Sequence, residues 1–199
     1  MKRLFLLLAL ACAAFATPAA AQWRLVKAAE PREVVSGAMM VTPPADWNRT
    51  TQRPTKRTEI WTKDGTTLGE LDFWLGVKPG EPLFKESSKK KAPLPKFNPA
   101  MLPTDLVEFF EDTARNVLGG SLFEVTYVKP GTLAGQAGVE FEYTYTGGDE
   151  VARRGLVRGA IIGGRLFLIN WDAPRLHYFD EHADEVRDIM DSARLGKPG

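Results

Sequence analysis

Between residues 70 and 77 apolar and polar side chains alternate. Leu71, Phe73, Leu75 and Val77 fall on one side of an extended backbone, and Glu70, Asp72 and Trp74 on the other. A period of two predicts a strand with one packed and one more polar face. The pattern returns later, where Val139, Phe141, Tyr143 and Tyr145 alternate with Glu140, Glu142 and Thr144. In residues 165–171, Leu166 and Leu168 face one way and Phe167, Ile169 and Trp171 the other. A strand apolar on both sides is expected to be central, with cover on both faces.

Turn residues divide the C-terminal half into a four-strand meander. Residues 122–129 form the first strand, ended by Pro130-Gly131, and Gly147-Gly148-Asp149 turns the second into a third over 151–162. Gly163-Gly164 is a two-residue hairpin signal. A tight turn there sets a register: Ile162 opposite Arg165, Ala160 opposite Phe167, Arg158 opposite Ile169 and Leu156 opposite Trp171. Upstream, residues 34–41 and 58–62 read as strands, bounded by Pro43-Pro44 and Lys63-Asp64-Gly65.

Two segments switch to helical spacing. Pro103-Thr104-Asp105 supplies a helix start, and Leu106, Phe109, Phe110, Thr113, Val117 and Leu118 form its stripe before Gly119-Gly120. Residues 176–195 form the second helix, with Phe179, Ala183, Val186, Ile189, Met190 and Ala193 facing inward. The fold class is therefore α+β: an antiparallel β-sheet flanked by helices, an α-β-α sandwich. Between strand and first helix, residues 78–100 change character, with Lys78-Pro79-Gly80-Glu81-Pro82, the tract Ser87-Ser88-Lys89-Lys90-Lys91, and Pro93, Pro95 and Pro99. Such proline density predicts a long mobile excursion within the domain.

The N-terminus changes the compartment. Lys2 and Arg3 precede an apolar run over residues 4–11, and Ala19-Ala20-Ala21 offers the small side chains of a signal-peptidase site. The expectation is residues 1–21 as a signal peptide cleaved near Ala21, and residues 22–199 as a single periplasmic α+β domain. The apolar run is shorter than the roughly 20 residues that span a bilayer, so no transmembrane segment is expected in the mature chain. Cys12 follows Ala9-Leu10-Ala11. A lipid anchor on Cys12 is the alternative to its loss with the leader. Removing the leader also removes the single Cys, leaving no disulfide, thiolate ligand or cysteine nucleophile. Lys2 and Arg3 are two of 26 basic residues, so 24 remain against 25 acidic ones, and this balance argues against a nucleic-acid partner.

Several stretches together are similar to the PsbP-like and DcrB-like superfamily of exported domains. They are the opening strand that ends in Val41-Thr42-Pro43-Pro44-Ala45-Asp46-Trp47, the run from Gly135 to Tyr143 followed by Arg154-Gly155, and Leu166-Phe167-Leu168 leading through Ala173-Pro174 and Phe179 into the last helix. They cover residues 34–194. The resemblance implies a sheet flanked by helices and a non-enzymatic accessory or binding role. It carries over no individual site residue.

Catalytic and metal chemistry finds little support in the motifs. His177 and His182 lie five apart, about 140° around a helix, whereas metal-binding pairs favour spacings of three or four. Ser36, Ser87, Ser88, Ser121 and Ser192 lack a nucleophile elbow, and no run fits a phosphate loop. No cofactor, metal or catalytic residue is expected. Glu70 with Asp72, and Glu140 with Glu142, could divide acid and base work, but solvated faces or pairing with Arg153, Arg154 and Arg158 explain them more simply. Lys89, Lys90 and Lys91 could meet an anionic surface. Trp74, sharing a face with Glu70 and Asp72, either lies under a helix or marks a contact surface.

The expected function is a non-catalytic accessory protein of the cell envelope. Its partner, a protein or the envelope surface, would be met through Trp74, Lys89, Lys90 and Lys91. The alternative is a carrier holding a small apolar ligand or lipid between sheet and helices. A carrier needs a cavity of about 300–1,000 Å³, whereas an interaction module is packed solid. A hydrolase would need a cleft that brings Glu70 or Asp72 near a second carboxylate.

Overall fold

A computed structural model describes residues 23–51, 53–86, 93–118 and 122–196. The predicted leader with Cys12, the Gly119-Gly120 helix stop and Lys89, Lys90 and Lys91 lie outside the described residues.

In chain order the strands are β1 (Trp23–Val26), β2 (Arg32–Val34), β3 (Met39–Val41), β4 (Trp47–Thr50), β5 (Thr58–Thr62) and β6 (Glu70–Val77). Helix α1 (Pro103–Leu118) follows, then β7 (Phe123–Leu133), β8 (Gln136–Thr146), β9 (Ala152–Ile162), β10 (Arg165–Pro174), helix α2 (Tyr178–Ser192) and β11 (Arg194–Leu195). Eight strands form one sheet in the order β1-β4-β5-β6-β10-β9-β8-β7, and β11-β3-β2 form a small second sheet. All pairings in the large sheet are antiparallel.

The sheet is covered on both faces. Leu71, Phe73, Phe167, Ile169 and Trp171 pack on one side with α2 residues such as Phe179 and Val186, and with Met39 and Val41 of the small sheet. Trp74, Leu166, Leu168, Phe141 and Tyr143 pack on the other with Phe109 and Phe110 of α1. The double-sided apolar character of β10 reflects its central position between β6 and β9. The Gly163-Gly164 hairpin register is as expected, with Ile162 opposite Arg165, Ala160 opposite Phe167, Arg158 opposite Ile169 and Leu156 opposite Trp171.

The structure corrects four local expectations. Residues 34–41 are a hairpin and not one strand, because Val35, Ser36 and Gly37 adopt positive φ between β2 and β3. Pro130-Gly131 does not turn the chain. On an edge strand Pro130 forfeits no ladder bond on its outer side, so β7 runs on to Leu133 and Ala134-Gly135 make the turn. Val77 does not share the face of Leu71 and Phe73. Gly76, at φ 75°, forms a bulge between the pairs Leu75–Phe167 and Val77–Leu166, which carries Val77 to the Trp74 side. Finally, the described ends of the 78–100 excursion are docked: Gly80 N–H donates to the Phe97 carbonyl at 2.8 Å, Phe97 N–H donates to that of Glu81 at 3.0 Å, and Leu83 and Phe97 are buried. Those two apolar anchors outweigh the proline signal around them.

Candidate functional site

Strand pairing brings acids together from distant parts of the chain. On the α1 side of the sheet Glu70 lies opposite Asp172, and Asp72 lies opposite Asn170. Tyr143 of β8 reaches across β9 to this pair of strands, because its cross-strand neighbour is Gly155. A Cβ on Gly155 would overlap the Tyr143 ring, so only glycine lets the phenol lie flat there. The one Tyr143 hydroxyl proton is shared between Asn170 Oδ1 at 2.9 Å and Asp172 Oδ2 at 3.2 Å. Tyr145 donates to Asp172 Oδ1 at 3.2 Å, and Arg153 approaches the same oxygen at 3.5 Å. Asn170 Nδ2 completes the chain by donating to Asp72 Oδ2 at 3.1 Å.

Helix α1 roofs this floor incompletely. Phe110 packs on Phe141 and Tyr143, with ring centroids 5.4 Å apart in each case. Beyond it, Ala114, Val117 and Leu118 stand over the acid cluster, with Phe84 and Trp74 closing the side. A cleft of about 310 Å³ remains between helix and sheet. Trp74 is buried, and among the described residues its indole N–H has no acceptor.

Burial governs the electrostatics. Desolvation, then the charge of Asp172, pushes the Glu70 carboxyl up to about 7, although Arg153 and a hydrogen bond from Thr66 draw it down. Asp72 is raised well above the ordinary range by burial and then by Glu70. Asp172 is raised by burial despite the hydrogen bonds it accepts. Burial also raises both tyrosines, so they donate at any working pH. The expected solvated face is therefore largely covered, with Asp72 buried and Glu70 and Asp172 half-buried, and its acids are favoured in their protonated form.

This has a sign that unfolding can check. A carboxyl with a raised folded pKa binds more protons folded than unfolded, so its stabilising effect is present at low pH and lost as pH rises through the folded value. For Glu70 the window runs from 4.5 to about 7. Stability should fall between pH 5 and 8 by on the order of 1–3 kcal/mol. Urea unfolding at both pH values measures it, and Glu70→Gln should remove much of the slope.

The other sequence candidates stay apart from the cleft. Glu140 accepts from Arg158 at 2.6 and 2.9 Å, and Glu142 from Arg154 at 2.7 Å and Arg187 at 3.0 Å, on the α2 face. These are the structural pairs expected for strand acids. The histidines do not converge: His177 is exposed beside Glu181, whereas His182 is buried between Trp47 and Trp171 and meets Asp64 at 3.0 Å. Among the described residues no group of three acids, histidines or cysteines is placed to hold a metal. A larger groove of about 520 Å³ runs past residues 54–57 and the docked base of the excursion, but its Arg57–Glu81 pair is open to solvent. The cleft under α1 is distinguished by convergent buried polar groups.

No protein-family model matches the chain, and no curated protein matches it in sequence. Solved structures do match its backbone. The solution structure of cyanobacterial PsbP (CyanoP) from Synechocystis sp. PCC 6803 aligns with a TM-score of 0.56 at 14% identity, covering 89% of this chain and 95% of that one. The fold is PsbP-like. A crystal structure of LpqN, involved in cell envelope biogenesis of Mycobacterium tuberculosis, aligns less well, with a TM-score of 0.38 at 14% identity over 90% and 81% of the two chains. The PsbP-like fold is the antiparallel sheet with flanking helices that the sequence resemblance implied. No helix among the described residues is long and apolar enough to cross a membrane.

Only half of the acid cluster is legible in the sequence. Glu70 and Asp72 are marked by their spacing; Asn170 and Asp172, polar positions at the end of an otherwise apolar central strand, are the signal for their partners.

Proposed function

We propose that the chain is a non-catalytic binding protein of the bacterial cell envelope that holds a small ligand between α1 and the sheet. The observation that carries this reading is the cleft of about 310 Å³, where aromatic walls meet a largely covered polar floor and, among the described residues, a Trp74 N–H without an acceptor. Ligand sites have this composition: apolar walls with a few convergent polar groups. The exported location rests on the leader, with its basic start, apolar run and Ala19-Ala20-Ala21.

The hydrolase alternative asked for Glu70 or Asp72 beside a second carboxylate, and Asp172 is that carboxylate. Its oxygens are already committed: Oδ1 to Tyr145 and Arg153, Oδ2 to Tyr143. Acid–base hydrolysis needs one carboxyl held as acid and an ionised partner aimed at substrate. Here burial favours the proton on all three acids. The arrangement suits binding.

Native mass spectrometry of the protein from its own envelope tests this. We expect a folded species heavier than the chain by one small molecule, lost on denaturation, with the denatured chain beginning at Gln22 and carrying no lipid. Ala114→Trp, which fills the cleft, should fold and lose the adduct. A folded protein that leaves the envelope at bare chain mass would sink the reading.

A further inference from the structure

Charge and shape at the cleft specify more than its existence. Glu70, Asp72 and Asp172 contribute three carboxyls to its lining, and Arg153 a single guanidinium. That guanidinium is itself divided among Asp149, Asp172 and the Thr67 carbonyl. Among the described residues neither Glu70 nor Asp72 has an ion pair of its own, and Glu70 feels only the field of that shared Arg153, in a place where an unpaired carboxylate is costly. The walls above them are aromatic: Trp74, Phe84, Phe110 and Tyr145. Aromatic faces attract a positive charge, most strongly where water is excluded. The α1 residues that roof the cleft, Phe110, Ala114, Val117 and Leu118, carry no charge.

From this geometry we infer that the cleft takes a small organic cation, an ammonium group borne on an apolar body. The ammonium lies against Glu70 and Asp72, and the apolar body lies under Ala114 and Val117. Among the described residues the buried indole N–H of Trp74 is a donor lacking an acceptor, which is independent of the acids and also points to a bound partner. An oxygen on the ligand would satisfy it. In the empty cleft protons do the neutralising, so an arriving cation displaces them. The inference rests on the ligand-binding reading above and names its chemical class.

The groups facing the cation are Glu70 and Asp72 from β6, Asp172 from β10, Tyr143 and Tyr145 from β8, and Arg153 from β9. Of these, Glu70 is the one poised to ionise near neutrality. An alkylammonium keeps its proton throughout that range, as lysine does. Its affinity should therefore rise with pH while that of a neutral ligand should not.

The test uses three probes with one apolar tail: hexylammonium, hexanol and hexanoate, titrated into the mature chain and followed by amide chemical shifts and calorimetry. Hexylammonium is expected to shift the resonances of Ala114 and Tyr143, to bind at least tenfold tighter than hexanol or hexanoate, and to bind at least fivefold tighter at pH 8 than at pH 5.5. Glu70→Gln should weaken hexylammonium at least fivefold and flatten the pH dependence of its binding. Hexanol binding as tightly as hexylammonium, with no pH dependence, would overturn the cation while leaving the ligand cleft standing. Tighter binding of hexanoate would overturn it too. If none of the three probes moves those resonances, the cation and the ligand-binding reading both fall. Should Glu70→Gln not fold, the pH dependence of the wild type decides.

Discussion

Arg158→Ala is expected to lower the stability of the domain by about 3–5 kcal/mol, the usual cost of removing one member of a buried ion pair. Arg158 and Glu140 sit directly opposite each other on β9 and β8, and the guanidinium donates twice to Glu140 Oε2. The Glu140 side chain is only 4% exposed, so its carboxylate has little water to fall back on. Both residues are anchored further: Glu140 accepts from Lys129 at 2.9 Å, and Arg158 also pairs with Asp191 at the end of α2. Burial raises the Glu140 carboxyl, but the hydrogen bonds and charges of Lys129 and Arg158 hold it below its ordinary range. Urea unfolding measures the loss. The double variant Arg158→Met with Glu140→Met should recover most of it, because two apolar side chains leave no stranded charge. A loss under about 1 kcal/mol for Arg158→Ala would mean that the pair behaves as a surface bridge, and the description of this face would be wrong.

Gly155→Ala is the second change with a large effect. The added methyl would collide with the Tyr143 ring. That ring cannot easily retreat: it stacks on Phe123 at 4.7 Å, meets Phe110 at 5.4 Å, and is tethered through its hydroxyl to Asn170 and Asp172. Overpacking of a tight core costs about 1–3 kcal/mol, and losing hydrogen bonds to buried acids adds about 1–3 more. We expect a total of roughly 3 kcal/mol, read as a fall in the urea midpoint, together with loss of probe binding in the cleft. In a Tyr143→Leu background the same glycine change should be much milder, since the obstructing ring is gone. Equal costs in both backgrounds would show that Gly155 serves β9 alone and does not position the phenol.

These two residues also mark how far the sequence could be read. Local periodicity was sufficient wherever chain neighbours pair, so β8, β9 and β10 and the Gly163-Gly164 register were legible, as were the buried stripe of α2 and most of that of α1. Val117 is the exception, at the rim of the cleft and 43% exposed. What periodicity does not encode is which distant strand lies beside β6. Its pairing with β10 joins residues about a hundred positions apart, and that pairing alone assembles Glu70, Asp72, Asn170 and Asp172. Glycine roles were hidden for a related reason. Gly155 and Gly76 read as ordinary small residues until the neighbouring strand shows a ring lying over one and a bulge at the other. Trp74 stands beside two acids in the sequence, but its place in the wall of the cleft depends on where α1 crosses the sheet.

One physical condition underlies the site: the carboxyls under α1 lie in a crowded, largely desolvated cleft and not on a wetted strand face. Carbon-13 NMR titration of the Glu70, Asp72 and Asp172 carboxyls reads that condition directly. All three should titrate above the ordinary carboxyl range, with Glu70 changing near pH 7. Three carboxyls that titrate together near pH 4, as side chains in open water do, would contradict it.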